Sequence, residues 1–203
     1  MAEFVLGGIL QLYKESKFFA GNQAAHRWEK HRGLRELSGK TACIIGTGSV
    51  GSAIARRLRA FDVQTVGMNR SGHPAAAFDQ TQPTCRLDDL LPLADLVICA
   101  MPLTAETAGL FDSVRIAKIK PGAVFVNVAR GKVTDQQALV EALQSGQLFG
   151  AVLDVFEEEP LPRSSPLWDM EQVILTPHNS FVGEHNGERL FRLICKNLES
   201  FAQ

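Results

Sequence analysis

The stretch "IIGTGSVGSAIARRL", residues 44–58, decides the fold. Two isoleucines close an apolar run. Glycines follow at Gly46, Gly48 and Gly51, and apolar residues then recur at helical spacing. The reading is a buried strand that turns sharply into a helix. A bare Gly-x-Gly-x-x-Gly is weak evidence, but between a strand and a helix each glycine has a physical task. The first permits the tight turn, the second lets backbone approach a pyrophosphate, and the third lets helix and strand pack closely. The free N–H groups and the dipole at the helix start then favour phosphate. Gly46, Thr47, Gly48, Ser49, Val50 and Gly51 are therefore candidate nucleotide-contacting residues.

Outward from this turn, strands and helices alternate. "TACII" (41–45), "VQTVGM" (63–68), "DLVICAMP" (95–102), "AVFVNVA" (123–129), "LFGAVLDV" (148–155) and "QVILTP" (172–177) read as strands. "SVGSAIARRLRAF" (49–61), "LDDLLPLA" (87–94), "FDSVRIAKI" (111–119) and "DQQALVEALQSG" (135–146) read as helices. Continuously apolar strands that alternate with helices mark a parallel sheet covered on both faces. The expected class is α/β, a doubly wound parallel sheet of the Rossmann type. One helix is expected over Ala2–Phe19, with Phe4, Val5, Leu6, Ile9, Leu10, Leu12 and Tyr13 on a broad face. Gly7 and Gly8 weaken it or let something pack closely. Residues 20–40 are polar, carry Trp28 and read as an exposed arm, and a last helix is expected from Glu184 to Phe201. The expected organisation is 1–38 helix and arm, 39–183 nucleotide-binding domain and 184–203 C-terminal helix.

Bulk properties exclude several function classes. The chain has 203 residues, 45% hydrophobic and 21% charged, as in one good-sized soluble domain. A net charge of −1 makes no electrostatic case for nucleic acid or an anionic membrane. No apolar run approaches a bilayer span. The N-terminus carries Glu3 and no basic lead, so no signal peptide is expected. Cys43, Cys85, Cys99 and Cys195 show no metal-like spacing, so no metal is expected. Cys43 and Cys99 read as small core residues, and a reducing cytoplasm is the expected compartment.

The end of the second strand bears on the cofactor. A site that prefers NAD usually carries an acid there for the ribose hydroxyls. This chain has Asn69, Arg70 and Ser71 instead. No acid repels a 2′-phosphate, Arg70 offers a cation with a planar donor face, and its neighbours offer hydrogen bonds. NADP(H) is expected over NAD(H), with NAD(H) as the second choice.

Three further pieces stand at strand ends: Arg130 in "VNVARGK", Glu157–Glu159 in "LDVFEEEP" and His178 in "LTPHNS". Ligands of open α/β sheets lie outside the carboxyl ends of the strands. Arg130, one of the glutamates and His178 are thus expected to converge beside the nicotinamide. Ketone reduction by hydride needs a proton donor, and histidine suits it. A carboxylate beside the histidine would fix its tautomer and favour imidazolium. An arginine can hold a substrate carboxylate and polarise the carbonyl.

Together "IIGTGSVG", "ADLVICAMPLTAETAGL", "VNVARGKVTDQQALVEAL", "GAVLDVFEEEPLP" and "LTPHNS" resemble the D-isomer-specific 2-hydroxyacid dehydrogenase family, in order and spacing, over nearly the whole chain. The resemblance implies hydride transfer between NAD(P) and a small 2-keto or 2-hydroxy acid. It places the catalytic arginine on Arg130, the glutamate that precedes the proline on Glu159 and the acid/base histidine on His178. It places Asp154 against the nicotinamide carboxamide, and Met101, Pro102, Thr107, Val128 and Ala129 along the cofactor. It also implies a homodimer through the N-terminal helix and arm. The family's amino-terminal substrate domain is expected to be missing, because "MAEFVLGGIL" resembles the helix that crosses into the cofactor domain. The competing expectation is a catalytically weak or inactive cofactor-binding module with an interaction role.

Overall fold

The computed structural model describes residues 1–201, so the last two positions of the expected 184–203 segment lie outside the described residues. The strands are β1 Thr41–Ile45, β2 Gln64–Asn69, β3 Gln80–Pro83, β4 Leu96–Cys99, β5 Val124–Asn127, β6 Gly150–Leu153 and β7 Val173–Leu175. The helices are α1 Ala2–Tyr13, α2 Ser16–Ala24, α3 Ser49–Arg59, α4 Leu87–Leu90, α5 Ser113–Lys118, α6 Gln136–Gln144 and α7 Asn186–Phe201. All seven strands pair in parallel, in the order β3-β2-β1-β4-β5-β6-β7. The order reverses between β1 and β4, which opens a crevice at the carboxyl edge there. The expected doubly wound sheet is the fold.

Strand periodicity divides the core between the two faces of the sheet. Ala42, Ile44, Leu96, Ile98, Val124, Val126 and Val152 pack with Val5, Ile9 and Tyr13 of α1 and with Ile54 and Leu58 of α3. Their neighbours Cys43, Ile45, Val97, Cys99 and Phe125 pack on the opposite face with Phe111, Ile116, Leu139 and Leu143. Each fully buried Leu or Ile side chain stabilises the fold by about 1.5–3 kcal/mol. Burial pushes the Cys43 thiol up to about 12, so it behaves as an inert packing residue. Gly8 is where α1 packs closely: a Cβ there would lie 2.5 Å from the Val152 side chain.

The structure corrects the sequence reading at the N-terminus and at one strand. The helix expected over Ala2–Phe19 breaks after Tyr13, because Glu15 adopts a left-handed φ of 50°. The buried stripe of α1 ends there, and Lys14 turns to the Arg35 carbonyl, 2.7 Å away. A second helix, α2, then takes up the start of the expected arm, and its Asn22 is buried. The rest of the arm is largely exposed, with Trp28 at 97%, until Leu37 returns to the core. β3 was not expected. Its Gln-Thr-Gln-Pro sequence lacks an apolar pattern because it lies at the sheet edge. α7 is amphipathic but buries none of its residues, leaving Leu190, Phe191, Leu193, Ile194 and Leu198 exposed. No described helix is long and apolar enough to cross a membrane.

Candidate active site

The strand registers bring the expected residues to one edge. Met68, Ile45, Cys99, Asn127, Leu153 and Leu175 lie side by side across neighbouring strands. The chain leaves the sheet at this row or, in β2, one residue beyond it. Asn69, Gly46, Ala100, Val128, Asp154 and Thr176 therefore stand along the carboxyl edge, and every expected site residue follows within a few positions.

The glycine turn is shaped by missing side chains. Gly46 has a φ of 109°, and a Cβ there would meet the Ala100 carbonyl oxygen at 2.5 Å. A Cβ on Gly51 would meet the Gly46 carbonyl oxygen at 1.9 Å. Gly48 differs: a Cβ there would meet nothing within 4 Å. It is the N-cap of α3 without a side-chain cap, and the N–H groups of Ser49, Val50 and Gly51 have no hydrogen-bond partner among the described residues. Two glycines close the turn and the third leaves a cradle, which fits a pyrophosphate. Thr47 Oγ1 accepts a hydrogen bond from Asn69 Nδ2 at 3.2 Å. Asn69 also organises the turn after β2, accepting from Gly72 N–H at 2.7 Å and donating to the His73 carbonyl at 2.9 Å. Arg70 and Ser71 on that turn are exposed, and the Arg70 guanidinium is ion-paired with Glu106. Beyond β4, Met101 is buried and Pro102 exposed, and Thr107 Oγ1 donates to the Pro102 carbonyl at 2.8 Å.

The other end of the edge is held by side-chain hydrogen bonds. Asn127 Nδ2 donates to the Arg130 carbonyl at 3.1 Å, and its Oδ1 accepts from Ala129 N–H at 3.0 Å. This shapes the turn that buries Val128 and Ala129 and leaves Arg130 exposed. Gly131 then lies against the next loop: a Cβ there would sit 1.7 Å from the Phe156 carbonyl oxygen. That loop carries the three glutamates. Glu157 accepts from Gln136 N–H at the start of α6, whereas Glu159 reaches His178, with Oε2 2.9 Å from Nδ1. Glu159 Oε1 accepts from Phe156 N–H at 3.0 Å. Partial burial would raise the Glu159 carboxyl, but the His178 and Phe156 hydrogen bonds outweigh it and hold the group below its ordinary value.

Asp154 is 1% exposed. Its Oδ1 accepts from Thr176 Oγ1 at 2.5 Å and from Asn179 N–H at 2.7 Å, and its Oδ2 from Ser180 N–H at 3.0 Å. Its carbonyl accepts from His178 N–H at 2.8 Å. Asp154 thus clamps both flanks of the histidine and holds His178 at a left-handed φ of 53°. Side chains rarely adopt that conformation without surrounding constraint. The sequence reading placed Asp154 against the cofactor and missed this clamp, together with Asn127 and Thr176. The only signal for it was an acid inside an otherwise apolar strand.

Glu159 and His178 keep 37% and 41% of their side chains exposed, so the pair opens to solvent on one side. On another side runs a groove of about 580 Å³, walled by Phe156, Pro160, Leu161, Trp168, Leu175 and Pro177. The described residues form no cluster of metal-ligating side chains.

Comparison with known proteins bears on this arrangement. Residues 6–180 match the D-isomer specific 2-hydroxyacid dehydrogenase, NAD binding domain. A glyoxylate reductase of Pyrococcus furiosus is 40% identical over 166 residues, which are 82% of this chain and 49% of the relative. The crystal structure of a D-isomer specific 2-hydroxyacid dehydrogenase family protein from Aeromonas salmonicida superposes with a TM-score of 0.90 at 37% identity, covering 99% of this chain and 64% of that one. A D-isomer specific 2-hydroxyacid dehydrogenase from Xanthobacter autotrophicus Py2, in complex with NADPH and MES, superposes with a TM-score of 0.78 at 36% identity, covering 87% and 56%. The chain spans about half the length of the curated relatives it matches.

Proposed function

The chain belongs to the D-isomer-specific 2-hydroxyacid dehydrogenase family, and on that premise we propose that it transfers hydride between NADP(H) and a small 2-keto or 2-hydroxy acid. The observation that carries the reading is the Glu159–His178 pair at the carboxyl edge of the sheet whose crevice begins at the glycine cradle. Gly46–Gly51 hold the pyrophosphate, and Asn69, Arg70 and Ser71 receive the 2′-phosphate. Met101, Pro102, Thr107, Val128 and Ala129 lie along the cofactor towards the nicotinamide. When bound, the nicotinamide supplies or accepts the hydride.

The chain's own residues handle the proton and the substrate. Glu159 takes the Nδ1 side of the imidazole, which leaves Nε2 as the acid/base atom. In ketone reduction, Nε2 gives its proton to the carbonyl oxygen as the carbonyl carbon gains hydride. In the reverse direction, Nε2 removes the hydroxyl proton. Glu159 stabilises the imidazolium form in both directions. Arg130, exposed beside the glutamate loop, binds the substrate carboxylate. Asp154 acts as a positioning residue through the His178 loop. The glyoxylate reductase relative and the NADPH-bound relative support a small 2-keto acid and NADP(H).

The exposed arm around Trp28 supports a homodimer, which sedimentation showing only monomer at micromolar concentration would refute. Four free thiols suit the cytoplasm. A second reading, a cofactor-binding module with weak turnover on its own, is favoured by one observation: the uncovered apolar side of α7.

One purified sample tests the proposal. NADPH and NADH are titrated by fluorescence, and NADPH loss is then followed with glyoxylate, hydroxypyruvate and bulkier 2-keto acids. Turnover that disappears in His178→Ala, with NADPH binding retained, is the expected result. NADPH binding with no turnover leaves the second reading. Equal affinity for the two cofactors refutes the NADP preference.

A further inference from the structure

The Arg70–Glu106 ion pair runs across the mouth of the crevice. Arg70 follows β2, on one side of the glycine turn of β1. Glu106 lies in the loop after β4, on the other side of β1. The sheet order reverses between β1 and β4, and a dinucleotide held there must pass this pair. Both side chains are exposed, at 82% and 66%, so the contact is weak enough to exchange. No acid stands on the turn after β2, yet tertiary structure places one against its only arginine.

We infer that Glu106 is an internal competitor for the 2′-phosphate at Arg70 and thereby sets how strongly this chain prefers NADP(H) over NAD(H). The inference rests on the reading that Arg70 receives the 2′-phosphate. A phosphate monoester is a bidentate partner for guanidinium, as a carboxylate is, and it carries more charge. It takes Arg70 from Glu106, and the freed carboxylate then faces a like charge across the crevice mouth. NADH carries no group that makes this exchange, so it leaves the ion pair in place.

The test measures dissociation constants of NADPH and NADH, and of their fragments 2′,5′-ADP and 5′-AMP, for wild type, Glu106→Gln, Arg70→Gln and the double variant. The fragments report binding without turnover. Glu106→Gln should raise the preference for the 2′-phosphorylated ligand about two- to fivefold, the size of an exposed ion pair. The gain should vanish in the Arg70→Gln background and shrink as salt is added. An unchanged or reduced preference in Glu106→Gln overturns the inference. If Arg70→Gln still lowers the preference in that case, the Arg70 reading stands and only the role of Glu106 falls. If Arg70→Gln leaves the preference unchanged, both fall.

Discussion

The two ends of the carboxyl edge are built by opposite means. The glycine end is made of absences: Gly46 and Gly51 let backbone touch backbone, and Gly48 keeps a space clear. The histidine end is made of presences: Asp154, Asn127 and Glu159 hold loops by side-chain hydrogen bonds. Adding one carbon should damage the first end, and removing a polar atom should damage the second. The ends meet in logic at Gly131, where a glycine lets the Arg130 turn pack against the glutamate loop. On the proposed function, the glycine end admits phosphate oxygens closely. The histidine end holds His178 in a left-handed conformation it would otherwise leave.

Four substitutions sharpen this contrast, in falling order of their effect on the fold. Gly51→Ala places a methyl against the Gly46 backbone, where no side chain can rotate away. It should cost about 3 kcal/mol or more, and thermal unfolding with a melting temperature near that of wild type would contradict it.

Asp154→Ala comes next. It leaves a buried donor at Ser180 and a half-buried one at Asn179 without their acceptor and should cost about 2–4 kcal/mol. Urea unfolding reads the loss. Turnover should fall with it, because the His178 loop is released. An unchanged unfolding midpoint would show that Asp154 is not the clamp.

Glu159→Gln should affect chemistry more than stability, since its pair is partly open to water. Ketone reduction should slow about 10- to 100-fold. The sign of the pH dependence follows from the lowered carboxyl. The ionised, His-paired form contributes stability above its ordinary value of 4.5, and that contribution is lost as pH falls through the depressed native value. The stability gap between wild type and Glu159→Gln should therefore close as pH falls below 4.5. A gap that widens in acid would reverse the assignment.

Gly48→Ala should change the fold least, by about 0.5–1 kcal/mol for a poorer N-cap residue. Its Cβ enters open space, so only ligand binding should suffer. NADPH affinity equal to that of wild type in this variant would mean that the cradle is not where phosphate binds.

Much of this molecule was legible in the chain. The α/β class followed from apolar runs at Ile44, Val97 and Val126 that alternate with helical spacing. The glycine turn followed from three residues within six positions. Both depend on neighbours in sequence, and local sterics and hydrophobic periodicity act at that range. Where the periodic signal was absent, the reading failed: β3 is polar because an edge strand need not be buried. The break at Glu15 follows from where the sheet stops covering α1, and no breaker residue announces it.

The finer organisation of the site was decided by tertiary structure. Three glutamates stand in a row at Glu157–Glu159; the family resemblance points to Glu159, residue pattern alone does not separate them, and the folded loop sets Glu157 on Gln136 and Glu159 on His178. Asp154 finds Asn179 and Ser180 more than twenty residues on, and Arg70 finds Glu106 thirty-six residues on. The sequence by itself determined which chemical groups this protein carries and at which strand ends they emerge, because strand, turn and helix are chosen by short-range forces. Tertiary structure alone decided which of those groups touch, because a hydrogen bond between distant residues exists only once the sheet has set its register.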